Sequence, residues 1–533
     1  METTGAGIPG PMDLIPRHYF FYTNAMNEPF PLKTVADTLA YFGQNMGALG
    51  PELQLLLWAL IGCMILEVLL PDQSKRLTGY AALGGIAFAS FHLYKIYVNG
   101  FLGVFFNETT VIDPFSIFFK ALFLAAALLT VLLSLRFMEI ENEQSGEYYA
   151  LILLATIGMM VMVSAIDLLT IYIGLELMAM SFYILVGYLR RNRLSNEASL
   201  KIFLLGAFAS GILLYGFSLL YGLTGSTQLS VLARQLAAAP AQNREMIFLA
   251  VVLVIVGLGF KIAAVPFHMW APDAYQGAPT PITAFLSVGS KAAAFTVMLR
   301  LFLGSFVSVK GWFLVLGVVA LMTFVVGNLA ALLQTNVKRL LAYSSISHAA
   351  YILLGLLAGR EFGGIAASSG YLLIYTFMNF GAFAVLILMR RKGIPGDQIA
   401  DFNGLIFRHP VIASLMLIFL LSLAGIPPTA GFIAKYMVFA AIIKAYMAQP
   451  SAMLLTLAIA GAVAAVVALY YYFLIVKAMF TGESQAEDLP ALSFSPGVTA
   501  AIVITAGMTM WVGIFPDTIM RMAAYAASNW GAW

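Results

Sequence analysis

Fourteen apolar stretches of spanning length run along this chain, and they leave one kind of fold open. They fall near residues 53–70, 77–98, 114–135, 148–166, 168–189, 201–223, 245–266, 280–304, 311–334, 337–358, 364–389, 410–442, 452–480 and 497–519. Lipid offers no partners to backbone N–H and C=O groups, so a chain that crosses it must satisfy them within helices or in a closed barrel. These runs are too long and too unalternating for barrel strands, which leaves helices. Composition agrees: 61% of the 533 residues are hydrophobic, 10% are charged and the mean hydropathy is +0.92. A soluble domain carries about 25% charged residues. The expected fold is all-α: a polytopic membrane protein of about fourteen transmembrane helices, with two inverted five-helix repeats and two broken helices.

Residues 1–50 hold Pro9, Pro11, Pro16, Pro29 and Pro31 and lack the apolar core of a cleaved signal, so they are expected to form an extramembrane extension. Its run His18-Tyr19-Phe20-Phe21-Tyr22 suits the headgroup layer, where amphipathic rings are favoured. Residues 51–145 then hold the first three helices, 146–305 the first repeat (helices four to eight), 306–482 the second (nine to thirteen), and 483–533 a loop and helix fourteen. Lys75-Arg76, Arg190-Arg191-Asn192-Arg193, Lys338-Arg339 and Arg390-Arg391-Lys392 follow the first, fifth, ninth and eleventh helices. With alternating spans these clusters share one side, which the positive-inside rule makes the cytoplasm.

Two spans are expected to break. Gly257-Leu258-Gly259-Phe260-Lys261 runs into Pro266, and Gly425-Ile426-Pro427-Pro428-Thr429-Ala430-Gly431 precedes Lys435. Proline removes a helical hydrogen bond and clashes with the preceding turn, so each site opens non-helical backbone at membrane depth. Interrupted helices in corresponding positions of two halves mark ion sites in transporters.

The charged residues inside the spans carry the chemistry. Lys120, Lys201, Lys261, Lys291 and Lys435 lie within predicted helices, and Glu176 sits mid-way along the fifth. Each charge at the bilayer centre costs roughly 2.5–3.5 kcal/mol on insertion scales, so several together point to function. A lysine relays protons when burial disfavours its charged form and an approaching carboxylate restores it. Glu176 approaching and leaving a lysine would give a two-state switch. Lys120, one turn into its helix, is read as snorkelling to the interface. His268, after Pro266, and His348, within Ser344-Ser345-Ile346-Ser347-His348, either extend the relay or are hydrogen-bonded packing residues. His92, His18 and His409 read as structural.

Cys63 is the one cysteine, far short of the roughly four thiolates an iron–sulfur cluster needs. No Walker-type loop is present, and a net charge of +3 gives no basis for nucleic-acid binding.

Three strings are specific enough to suggest a family: Gly174-Leu175-Glu176-Leu177-Met178-Ala179-Met180-Ser181-Phe182-Tyr183, Lys261 to Pro279 (KIAAVPFHMWAPDAYQGAP) and Asn336 to Gly355 (NVKRLLAYSSISHAAYILLG). From about residue 50 onward the chain resembles the antiporter-like membrane subunits of proton-pumping NADH:quinone oxidoreductase, respiratory complex I, and among them the subunit N type. Leucines flank Glu176 as in that type, and the sequence stops soon after helix fourteen without a long lateral helix. The resemblance implies that Glu176 and Lys261 form the switchable pair with Lys201 close by, that Lys291 is the central link, and that Lys435 is the exit-side site. It implies no cofactor in this chain, with FMN, iron–sulfur clusters and quinone in other subunits. Neighbouring antiporter-like and small membrane subunits would be its partners, in a bacterial plasma membrane. The alternative is a cation/proton antiporter subunit, although sodium favours oxygen ligands and this core offers one glutamate among several lysines. A third reading is a structural subunit that does not pump.

Overall fold

The computed structural model describes residues 43, 45–70, 75–143, 145–390, 396–482, 495–528 and 530–531. Most of the expected extension, with its aromatic run, lies outside the described residues, as do Arg391, Lys392 and most of the loop before the last span. Among the described residues fourteen helices are long and apolar enough to span. We number them α1 (Gly50–Leu69), α2 (Arg76–Val98), α3 (Pro114–Glu141), α4 (Gly146–Ser164), α5 (Leu168–Val186), α6 (Arg193–Thr224), α7 (Arg244–Lys261, continued by Trp270–Gly277), α8 (Thr280–Ser305), α9 (Trp312–Leu332), α10 (Val337–Ala358), α11 (Gly364–Met389), α12 (Pro410–Ala424 and Ala430–Ala448), α13 (Ala452–Thr481) and α14 (Pro496–Ile514). They correspond one to one with the predicted spans, and both α7 and α12 are broken where proline required it.

Several starts are fixed by capping side chains that take up otherwise orphaned N–H groups. Asp113 opens α3 in a reciprocal capping box with Ser116, Asp167 caps α5 through Leu169 and Thr170, and Asn192 caps α6 through Leu194 and Ser195. The Asn192 cap starts α6 eight residues before the predicted boundary, because the polar run after it is helical rather than loop. The expectation of helices alone also misses a small hairpin between α2 and α3, where Gly103–Phe105 pairs antiparallel with Thr110–Ile112.

Burial shows where the centre lies. The apolar window of α8 is entirely buried and those of α10 and α11 nearly so, whereas α1, α2 and α13 show most of theirs to the surroundings. Small residues bring neighbours to backbone distance, as expected where lipid gives helices no hydrophobic drive to associate. A Cβ on Gly158 of α4 would lie 2.6 Å from the Met178 nitrogen of α5, so this glycine seats the helix that carries Glu176.

Candidate proton-transfer site

The first break opens after Lys261. Its freed backbone groups are taken up inside the protein, as burial in a membrane requires. The Trp270 indole N–H donates to the Phe260 carbonyl at 3.0 Å, the Val265 N–H donates to the Thr323 hydroxyl at 3.0 Å, and the Ala264 N–H donates to the Gly259 carbonyl at 2.9 Å. Lys261 ends the first half of α7, buried, and its amine donates to the Tyr183 hydroxyl at 3.3 Å. Glu176 lies seven residues before Tyr183, hence on the same face of α5. One of its carboxylate oxygens is buried without a hydrogen-bond partner, and no ion pair joins it to Lys261 among the described residues. The structure therefore presents the expected pair apart, with a phenol at the lysine. Gly206 of α6 makes room for that phenol, since a Cβ there would lie 2.0 Å from the Tyr183 oxygen. His268 is half-buried within the break.

Lys291 occupies the centre. The preceding turn of α8, Leu286–Ser290, is π-helical, a local widening common at functional sites. The amine donates to the Ser345 hydroxyl at 2.6 Å and to the Ser345 carbonyl at 2.7 Å. The same hydroxyl accepts from Tyr375 at 2.7 Å and lies 3.3 Å from the Tyr275 hydroxyl. Ser344 and Ser345 lie four and three residues before His348 on α10, so each neighbours it across one helical turn. His348 Nδ1 lies 2.6 Å from the Tyr371 hydroxyl and Nε2 lies 3.4 Å from that of Tyr472, which is itself hydrogen-bonded to Ser344. Every member of this string is a lysine, histidine, serine or tyrosine, and each can both give and take a proton or a hydrogen bond as its protonation allows.

The second break holds Lys435. Gly425 takes a left-handed φ of 87° there, and a Cβ would lie 2.7 Å from Lys435 Cδ. The amine donates at 2.5 Å to the carbonyl of Ala424, the last residue of the first half of α12, and stands 5.1 Å above the Tyr351 ring. A half-helix C-terminus carries a partial negative charge, a known seat for cations in discontinuous transporter helices. Ser422 ties the halves together by accepting from the Gly431 N–H at 3.0 Å.

Comparison with known proteins fits this architecture. The family of NADH:quinone oxidoreductase/Mrp antiporter transmembrane segments matches residues 165–462. NADH-quinone oxidoreductase subunit N 2 of Solibacter usitatus is 48% identical over 481 residues, covering 87% of this chain and 94% of the relative. The chain belongs to the NADH-quinone oxidoreductase subunit N family. A chain of respiratory complex I from Thermus thermophilus superposes with a TM-score of 0.73 at 34% identity, over 88% of this chain and 98% of the other. A chain of the Mrp complex from Dietzia shares the fold alone, at a TM-score of 0.70 and 22% identity over 92% of this chain and 98% of that one. This member of the subunit N family is thus part of a multi-subunit membrane complex.

Not every expected residue lies where the sequence suggested. Lys201 is not buried: its side chain is 42% exposed and pairs with Glu197 at 2.6 Å and Asp273 at 2.8 Å, in a network that Arg339 joins at 2.6 Å. The early start of α6 explains this, since Glu197 then lies one turn below Lys201. Lys120 does not snorkel. It is fully buried and faces Glu52 of α1 at 2.7 Å, at an angle poor for a hydrogen bond, so charge holds the pair. Lys338, counted above with the cytoplasmic loop charges, is also buried, and donates at 2.6 Å to the Ala278 carbonyl.

Sequence reasoning passed over two groups. Arg300 is fully buried, forks onto Asp113 at 3.0 and 3.1 Å and donates to the Val163 carbonyl at 2.9 Å. Its position within a predicted apolar span was the available signal. The phenols Tyr183, Tyr275, Tyr371, Tyr375 and Tyr472 gave a weaker one, because tyrosine in a span is ordinarily read as packing or interface.

Proposed function

We propose that this chain moves protons across the membrane for NADH:quinone oxidoreductase, driven by quinone reduction in other subunits. Lys261, Lys291, His348 and Lys435 carry the protons, with Glu176 as a mobile counter-charge and His268 as a group at the first break. Lys201 stands at the edge of this set rather than within it. The observation that carries the reading is Lys291: a fully buried amine whose hydrogen-bond partners among the described residues are a carbonyl and a hydroxyl shared with two phenols. A buried lysine without a carboxylate contributes poorly to stability. The same lysine in a hydroxyl string is well placed to hand a proton on.

Each half of the chain then contributes one broken helix, with Lys261 and Lys291 from the first and Lys435 from the second, in keeping with two inverted repeats over 146–305 and 306–482. When Glu176 swings toward Lys261 the charged amine is favoured, and when it withdraws the proton leaves toward Lys291. From Lys291, Ser345, Ser344 and His348 lead toward Lys435, whose half of α12 runs to the face opposite the lysine-rich loops. FMN, iron–sulfur clusters and quinone belong to other subunits in this reading, and the membrane is the bacterial plasma membrane. A sodium/proton antiporter would need an oxygen cage for its cation, which these amine sites do not resemble.

The test compares Lys291→Ala, Lys261→Ala and Glu176→Gln in the intact complex within inverted membrane vesicles. Quinone reductase activity and proton pumping are expected to fall together in all three. Unchanged pumping in Lys291→Ala and Lys261→Ala would refute the relay, and sodium-driven proton exchange by the isolated chain would favour the antiporter.

A further inference from the structure

A cavity of about 170 Å³ opens among the loops on the lysine-rich face, where the connections after α5, α7, α9 and α11 converge. Asn192, Gln276, Arg390, Asp397 and Gln398 contribute polar groups to its wall, and Lys338 lines it from the first turn of α10. Space of this size, with several polar partners, holds a cluster of waters. Arg390 is already engaged, donating to Glu141 at 2.7 Å. Lys338 is not matched in this way: among the described residues its amine meets the Ala278 carbonyl and no carboxylate. It also sits near the N-terminus of its own helix, the end at which a cation is disfavoured. Its place in α10 is thus a poor one for a merely stabilising charge.

From this residue a polar path leads inward. The Ala278 carbonyl that holds Lys338 is 3.5 Å from the Thr283 hydroxyl, which donates to the Tyr275 carbonyl at 3.0 Å. The Tyr275 hydroxyl in turn reaches Ser345, the partner of Lys291. Along α10 itself, Lys338 and Ser345 are seven residues apart, on one face and separated by a rise of about 10.5 Å. These groups mark a route from the cavity toward the centre of the string, with a gap between the Tyr275 carbonyl and the hydroxyl at the tip of the same residue that water must bridge.

We propose that this cavity is the proton-uptake vestibule of the subunit and that Lys338 is the residue that receives protons from it. This rests on the proton-translocating reading above. In the uptake step an N–H bond forms at the neutral Lys338 amine as an O–H bond of a protonated cavity water breaks. In the next step that N–H breaks and one forms at Lys291, through water and the Tyr275 and Ser345 hydroxyls, and Lys338 returns to its neutral form.

The competing role for Lys338 is to cap the C-terminus of the second half of α7, and arginine would preserve that role. Arginine keeps the charge and the donors but does not release a proton. In inverted vesicles containing the intact complex, where the cytoplasmic face is outermost, Lys338→Arg and Lys338→Ala are expected to pump roughly tenfold or more slowly. The deficit should deepen as the outer pH is raised, because delivery from the vestibule becomes limiting, whereas a loosened structure would give a deficit independent of outer pH. Wild-type pumping in Lys338→Arg overturns the proposal.

Lys291→Ala separates the two claims. If it abolishes pumping while Lys338→Arg pumps normally, the uptake site falls and the relay stands. If neither variant changes pumping, both fall. Should the Lys338 variants fail to assemble, Gln276→Cys combined with Cys63→Ala decides. A membrane-impermeant maleimide applied to the cytoplasmic face should label this chain and slow pumping, and absence of labelling, or labelling without slowing, overturns the proposal.

Discussion

A single methyl group at Gly206 should disturb proton transfer at Lys261 without touching any charged residue. A Cβ at this position would lie 2.0 Å from the Tyr183 oxygen and 2.7 Å from Cζ. Ordinary contact requires about 3.5 Å, so the phenol must retreat by about 1.5 Å or the helices must part. The Lys261–Tyr183 bond is already 3.3 Å long and does not survive such a displacement. A hydrogen bond to a charged group contributes about 1.5–3 kcal/mol, and a long one belongs at the lower end. Losing about 1.5 kcal/mol from the proton-transfer step slows it roughly tenfold where that step limits pumping. The assay is initial-rate pumping by the intact complex in inverted vesicles for Gly206→Ala, Tyr183→Phe and the double variant. Tyr183→Phe removes the hydrogen bond and the atom that the methyl group strikes first, so the double variant should lose clearly less than the sum of the two single losses, the ring carbon at 2.7 Å having only a small distance left to move. Full additivity of the two losses, or normal pumping in Gly206→Ala, would refute the claim that Gly206 acts through the phenol.

Gly425→Ala combines a left-handed backbone with a clash against Lys435, and should cut pumping several-fold in the same assay. Gly507→Ala, which meets nothing within 4 Å, is the control and should pump normally. Glu52→Gln leaves Lys120 buried without its partner, a cost of about 3–5 kcal/mol, and should lower the thermal stability of the assembled complex. Pairing it with Lys120→Met should recover most of that loss, and a double variant as unstable as Glu52→Gln would show that the pair is not the cause. Lys201→Ala removes an exposed network member, for which single ion pairs contribute about 0–1 kcal/mol, and should reduce pumping less than Lys261→Ala. Equal losses in the two would place Lys201 back on the path.

The spans and both breaks were legible because lipid enforces them. Twenty or so apolar residues in a row have one solution in a bilayer, and proline within such a run has few. The burial of Lys261, Lys291 and Lys435 was legible for a related reason, since a charge deep in an apolar run has no cheap explanation, whereas the sequence leaves His348 open between a relay and a packing residue. What failed was everything set by a distant partner. Lys120 looked close enough to its helix end to escape, and the carboxylate that keeps it buried comes from α1. Lys338 belonged by sequence to a basic loop, and it is the carbonyl of Ala278, sixty residues earlier, that draws it inside. Lys201 was misplaced through a boundary, since the polar residues after Arg190 looked like loop until Asn192 was seen capping a helix.

The helix ends also bear on how these amines would carry protons in the proposed reading without carboxylates beside them. Lys435 rests on the carbonyl of Ala424 and Lys338 on that of Ala278, and both carbonyls lie at the C-terminal end of a half-helix. Such an end carries a partial charge of about half an electron, enough to orient an ammonium group but weaker than a full counter-ion. A carboxylate in the same place would hold the proton firmly and make each transfer costly in both directions. A carbonyl is neutral and fixed by its backbone, so it favours the charged amine modestly and leaves the decision to a mobile charge elsewhere. Breaking a helix at membrane depth is how a chain exposes such a carbonyl where no loop could be tolerated. In this reading Pro427 and Pro428 do more than bend α12, because that break creates the helix end on which Lys435 sits; Lys338 uses the outer end of α7 in the same way, and the break in α7 leaves Lys261 at the end of its half-helix with its amine on the Tyr183 hydroxyl.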